Sequence, residues 1–315
     1  MAFRLPEGES LADGVRLIAR EQIDHAIDEL SDRSLALDLA VHEVRKRCKK
    51  LRGLLRLIRP CLGDSYAREN AHFRAAARFL SPLRDDQTII DAFHALLDHF
   101  AEQTERKAFG TIKRRLTRRR KQRAGRVTDV EERIAQVRCQ MEAGRKRVAH
   151  WSIEIAGAEA WRGGFEQTYR RAREAMALAY ETLTTEHFHE WRKQVKYHWH
   201  HTRILQPLWP EVLGVRGDAA NALGETLGMH HDLAVLRATL LDEREGFGPP
   251  AVQALVVLID RRRTELAASA RPLGARLFAD KAARIGQRWV RYWDTWQKEQ
   301  VARQAPESQP TAISA

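Results

Sequence analysis

The sequence predicts an all-α protein made of two pseudo-symmetric helical-bundle halves, and three observations carry that prediction. Stretches rich in Ala, Leu, Glu, Arg and Gln, with an apolar residue every third or fourth position, recur from Ser10 to Gln300. No segment sustains the two-residue alternation of a half-buried strand. One phrase is also written twice, HEVRK at His42 to Lys46 and HEWRK at His189 to Lys193.

Turn signals divide the chain in order. The first helix carries Arg16 and Arg20 and should stop between Ser31 and Ser34. The second carries HEVRK and ends at RPCLGDS, after which breaks are expected at VTD from Val127 and at GAEAWRGG from Gly157 to Gly164. A helix beginning near Phe165 carries Arg170 and Arg173, and the next one carries HEWRK up to QPLWP from Gln206. Further breaks are expected at GFGPP from Gly246 and RPLG from Arg271, and the polar, uncapped QAPESQPTAISA reads as disordered.

The spacing of 147 between His42 and His189 also carries Glu43 to Glu190, Arg45 to Arg192, Lys46 to Lys193, Lys49 to Lys196, Arg56 to Arg203 and Pro60 to Pro207. Without a gap it then carries Leu80 to Leu227, Arg84 to His231 and Asp85 to Asp232. One offset held across two separate motifs predicts two related halves, 1–160 and 161–300, followed by a tail at 301–315.

The chain has 315 residues, 43% hydrophobic and 30% charged, which is enough apolar material for a core and more charge than a core absorbs. Lys and Arg total 54 against 42 Asp and Glu, a formal charge of +12 with a pI near 10.0. Polyanions or anionic surfaces are the partners such a charge attracts. MAFRLPEGES has no charged n-region leading into an apolar h-region, and the longest apolar run, ALVVLI from Ala254, is far short of a bilayer span. A soluble cytoplasmic protein with no membrane partner is expected. Cys48, Cys61 and Cys139 are odd in number and widely spaced, which indicates neither a disulfide framework nor a zinc knuckle.

On a helix turning ~100° per residue, Arg45, Lys46, Lys49, Arg52 and Arg56 all fall within about 80° of His42, with Val44, Leu51, Leu54, Leu55 and Ile58 opposite. The second copy puts His189, Arg192, Lys193, Lys196, His200 and Arg203 on one stripe, opposite Trp191, Val195, Thr202 and Leu205. Solvated helix faces usually mix signs, because like charges four apart destabilise a helix. Read from spacing, the first stripe contains no acid, so a binding surface for an external polyanion is expected.

VHEVRKRCKKLRGLLRLIRP and FHEWRKQVKYHWHHTRILQP, followed by LRDD and LGMHHDLAVL, resemble the two halves of a CHAD domain, the conserved histidine α-helical domain. The likeness extends to LGARLFADKAARIGQRWVRYW. The resemblance implies a helical pseudo-symmetric domain that binds inorganic polyphosphate without catalysis, some members being found at polyphosphate granules. It implies a basic central surface lined by His42, Arg45, Lys46, Lys49, Arg52 and Arg56 from one half and His189, Arg192, Lys193, Lys196 and Arg203 from the other. Arg16, Arg20, Arg170 and Arg173 precede the two motifs and could extend it. The second copy departs from the first in having Trp199 in place of Arg52 and Tyr197 in place of Lys50.

The rest of the sequence is less specific. KRRLTRRRKQR from Lys113 is the most basic run, either a secondary anion patch or a solvated helix. Asp85 and Asp232 read as caps or as partners that orient a cation. His198 and His201 lie on the apolar side of their helix, and Trp289, Trp293 and Trp296 recur at core spacing. HEVRK and HEWRK are not zincin motifs, because Lys46 or Lys193 stands where the second metal ligand would have to be. Neighbours such as His230, His231 and Asp232 point about 100° apart on a helix. There is no phosphate-binding Gly-rich loop, no nucleophile elbow and no carboxylate cluster for two-metal hydrolysis. No cofactor is therefore expected, and a metal-dependent phosphohydrolase is disfavoured. RNA or DNA, bound on the same basic surface, is the competing partner.

Overall fold

The computed structural model describes residues 3–81, 85–126 and 129–304. Ser10 opens α1 (Leu11–Ser31), its hydroxyl accepting from the Asp13 amide at 3.1 Å. Then follow α2 (Leu37–Leu57), the short α3 (Arg59–Leu62), α4 (Ser65–Phe79), α5 (Asp85–His99), a 3-10 turn at Arg106–Phe109, α6 (Gly110–Arg126) and α7 (Val130–Val148). After a non-helical stretch come α8 (Glu159–Thr182), α9 (Thr185–Ile204), a 3-10 turn at Gln206–Leu208, α10 (Pro210–Asp242), α11 (Arg244–Phe247), α12 (Pro249–Leu277) and α13 (Ala282–Gln304). The fold is all-α, with no strand among the described residues.

The 147-residue offset carries α2 to 184–204, against α9 at Thr185–Ile204, and α3 to 206–209, against the 3-10 turn at Gln206–Leu208. Packing runs in the same order, α1 against α2 and α7, α8 against α9 and α13. The correspondence ends where α10 runs unbroken through a register occupied earlier by α4 and α5. Two hydrophobic clusters result. The larger gathers α1, α2, α8, α9 and α13 around Trp161, Phe165, Tyr169, Trp191 and Trp289. The smaller joins α5 and α6 to α10 and α12 through Phe93, Leu116, Leu236, Leu240 and Ile259.

Several expected boundaries move. Trp161 to Gly164 are helical, and the break before α8 falls earlier. A Cβ on Gly164 would stand 2.1 Å from the Leu57 carbonyl oxygen, so this glycine allows the end of α2 to touch α8. RPLG lies inside α12, where the buried Leu266, Ala270, Gly274 and Leu277 hold the helix across Pro272. The helix α13 includes residues 301–304 of the expected tail; 305–315, like Arg84 and Val127, lie outside the described residues. Trp289, Trp293 and Trp296 are all buried.

Candidate functional site

The geometry starts where α2 crosses α9. Gly53 meets His200 there, and a Cβ added to it would lie 2.9 Å from the His200 Cβ. The His201 Nε2 lies 3.0 Å from the Gly53 carbonyl oxygen. This crossing buries His200, which the helical spacing alone put on the cationic stripe; it packs on Phe3 instead. His198 and His201 are buried as well, and burial holds both imidazoles neutral, His201 at about 3.

On the face beside this crossing the two stripes converge. Lys49 reaches solvent, yet surrounding protein strips much of its hydration, and Arg192, Arg45 and Lys196 all repel its charge. Its pKa is pushed down to about 8, with Asp232 opposing the shift. Desolvation likewise lowers Lys196, followed by Arg192 and against Glu225. It lowers Arg192, against Asp232. His189 stacks on His231 with ring centroids 4.1 Å apart, and burial, Arg192, Lys193 and Lys49 hold it below the ordinary imidazole value against Glu190. His231 falls to about 4 for the same first reason. The buried Nδ1 of His189 and of His231 and the Arg192 Nε have no hydrogen-bond partner among the described residues.

Residues outside the repeated phrase position these cations. Opposite α9, the helix α10 presents Gly224 and Gly228, whose missing side chains leave room for Lys196 and Arg192. A Cβ on Gly224 would sit 2.9 Å from Lys196 Cδ, and one on Gly228 3.4 Å from Arg192 Nε. Lys196 donates to Asn221 Oδ1 at 3.2 Å and lies 4.4 Å from the Trp199 ring centroid, which Arg203 approaches to 5.9 Å. On α2, Arg52 and Arg56 donate to Asn70 Oδ1 at 3.2 and 2.9 Å. Arg56 also lies 3.9 Å from the Tyr197 ring centroid. Lys50 is pushed down to about 8 by burial and by Arg47, Lys46 and Arg203, against Glu43.

The stripes are less purely cationic than the spacing suggests. Glu43 pairs with Lys46 at 2.8 Å and lies 3.8 Å from His42, and Glu190 pairs with Lys193, because three residues is one helical turn. Lys46 and Lys193 thus arrive partly neutralised. The unpaired density of charge sits one turn on, at Lys49 and Lys196. The four outlying arginines have their own surroundings. Arg16 is held by Asp13 and the Trp151 carbonyl, and Arg170 by Glu174. Arg173 lines a cavity with Tyr180 and Arg271, and Arg20 is exposed on α1. Among the described residues no three His, Cys, Asp or Glu side chains come together to hold a metal ion, His230, His231 and Asp232 included.

Sequence reasoning missed Gly224, Gly228, Asn70, Asn221 and Lys50. The first four belong to helices with no repeated basic phrase; of these only Gly228 carried a signal, lying within LGMHHDLAVL. Lys50 carried a signal, standing within the basic run.

An all-helical protein whose two helices with basic stripes, α2 and α9, cross at Gly53 and His200 is thereby defined. The chain belongs to the CHAD domain family, which matches residues 17–241. The match takes in α2, α9 and nearly all of α10 and stops short of LGARLFADKAARIGQRWVRYW. The CHAD domain is associated with polyphosphate and triphosphate binding and is not a marker of catalysis. A search of curated proteins finds no match. No helix among the described residues is long and apolar enough to cross a membrane.

Proposed function

We propose that this protein binds inorganic polyphosphate non-enzymatically, in the shared face between α2 and α9, and so places or organises polyphosphate, as at cytoplasmic granules. The observation that carries the reading is Lys49. Its pKa is pushed to about 8 first by loss of hydration and then by cations from α9 and from its own helix, and the repulsive part is a cost to the free protein that a phosphate chain would relieve. Arg45, Lys49, Arg192 and Lys196 form the centre, with Arg52 and Arg56 at one end and Arg203 at the other. His42 and His189 add a proton-dependent contribution, and Lys46 and Lys193 exchange their glutamates for ligand.

Nucleic acid is the second reading, and Trp199 is the observation that favours it, as the aromatic residue on the α9 stripe. Its indole is already engaged by Lys196 and Arg203, which leaves it to orient cations more than to stack bases. A ligand made only of phosphate needs no base contact. The test is competition between long polyphosphate and single-stranded RNA of equal total charge at near-physiological salt. Polyphosphate is expected to win, and a preference for RNA would overturn the reading.

A further inference from the structure

Away from the shared face, α6 carries charge that its packing does not use. Its sequence, GTIKRRLTRRRKQRAGR, is more than half basic and has no acid. The inward side is engaged. Ile112 and Leu116 are buried in the smaller core, Arg119 reaches Asp86 and Glu243, Arg123 reaches Asp86, and Arg120 donates to Gln87. At ~100° per residue Arg114, Arg118 and Lys121 share the opposite face. All three are exposed. Arg114 donates to Thr111 Oγ1 at 3.1 Å, and neither Arg118 nor Lys121 has an ion pair among the described residues.

This arrangement works against the helix itself. Lys113, Arg114 and Arg115 occupy the first turns, where the backbone dipole is positive and acids are favoured. Repulsion along the outer face adds to that. An anion laid along α6 would relieve both. The face carries no aromatic residue, so it offers phosphate charge and nothing for a base.

The surface is separate from the α2–α9 face. Arg119 meets Glu243, the residue that caps the C-terminal end of α10, about 16 Å along the helix axis from Asp232 at 1.5 Å per residue. The intervening helix is α5, which packs on both α10 and α6 and exposes Asp91. That acid opposes one phosphate chain running continuously from site to site.

We propose that α6 is a second polyphosphate-binding surface and that the protein cross-links polyphosphate by holding one chain there and another between α2 and α9; the second half of that statement rests on the function proposed above. The test titrates long polyphosphate into the full chain at near-physiological salt and follows light scattering, with binding of a short oligophosphate measured in parallel. The wild type is expected to scatter. Arg114→Glu with Arg118→Glu and Lys121→Glu should keep short-chain affinity and lose the scattering. Arg276→Glu with Arg284→Glu and Arg291→Glu removes the same charge from other exposed positions and should keep both. Scattering by the α6 variant at the wild-type level, or an equal loss in the control, overturns the cross-link. Short-chain affinity that Lys49→Glu with Lys196→Glu leaves at the wild-type level would instead overturn the α2–α9 site, and the cross-link with it.

Discussion

At pH 7 Lys49 carries a charge that Arg45, Arg192 and Lys196 all oppose, and two predictions rest on that. Its folded pKa is about 8 against an ordinary 10.5, so charged Lys49 penalises the fold fully below pH 8, and the penalty fades as pH rises from there to the ordinary value. Lys49→Met should therefore raise the neutral-pH Tm by about 2 °C, the shift that ~1 kcal/mol makes in a chain of this size once solvent screening at an exposed lysine is allowed for, while weakening polyphosphate binding. Thermal melts at pH 7 and above pH 10.5 check this, since the gain should vanish at the higher pH. A bound phosphate would lift the Lys49 pKa above 8, so affinity should fall as pH climbs through 8 to the bound-state value. It would also lift His189 from its lowered position, so affinity should rise as pH falls toward and below ~6.5. Calorimetry across pH should find the alkaline limb flattened by Lys49→Arg and the acidic limb flattened by His42→Ala with His189→Ala. The identity of these cations was legible from the sequence, because a helix fixes which side chains share a face. That Lys49 is their meeting point was not legible, because it depends on where α2 crosses α9.

Among the elements, α10 shows how far local pattern reaches. Its LGETLGMHH segment reads as ordinary helix, and its glycines would ordinarily weaken it by about 1 kcal/mol each relative to Ala. Gly224 and Gly228 are nevertheless where Lys196 and Arg192 lie. Gly224→Ala with Gly228→Ala should leave the Tm equal or higher and reduce polyphosphate affinity by roughly tenfold, the order of a lost charged hydrogen bond, as melts and calorimetry on one preparation would show. Gly164→Ala should behave oppositely and destabilise by several kcal/mol, because its Cβ meets the backbone carbonyls of Arg56 and Leu57, which cannot move aside as a lysine can. Both α2 and α9 were legible from period, whereas the Thr184 cap of α9 was not read from the sequence. The break expected at GAEAWRGG holds only at its start, where Gly157 turns ahead of α8, while Gly164 and the RPLG proline lie inside helices. Here the glycine makes room for a neighbouring helix, and packing carries α12 across its proline.

For the whole molecule, the central claim is that the doubled phrase builds one site from two helices. Such a site holds a long phosphate chain as a single multivalent ligand, whose second contact is effectively intramolecular. Two independent stripes would instead each bind on their own terms. The most direct measurement is calorimetric affinity for polyphosphate of increasing length, in wild type and in Arg192→Gln with Lys193→Gln and Lys196→Gln. The variant should lose far more affinity for long chains than for a very short oligophosphate, which can still settle on His42, Arg45, Lys46 and Lys49. An identical fold-loss at every length would contradict a shared site.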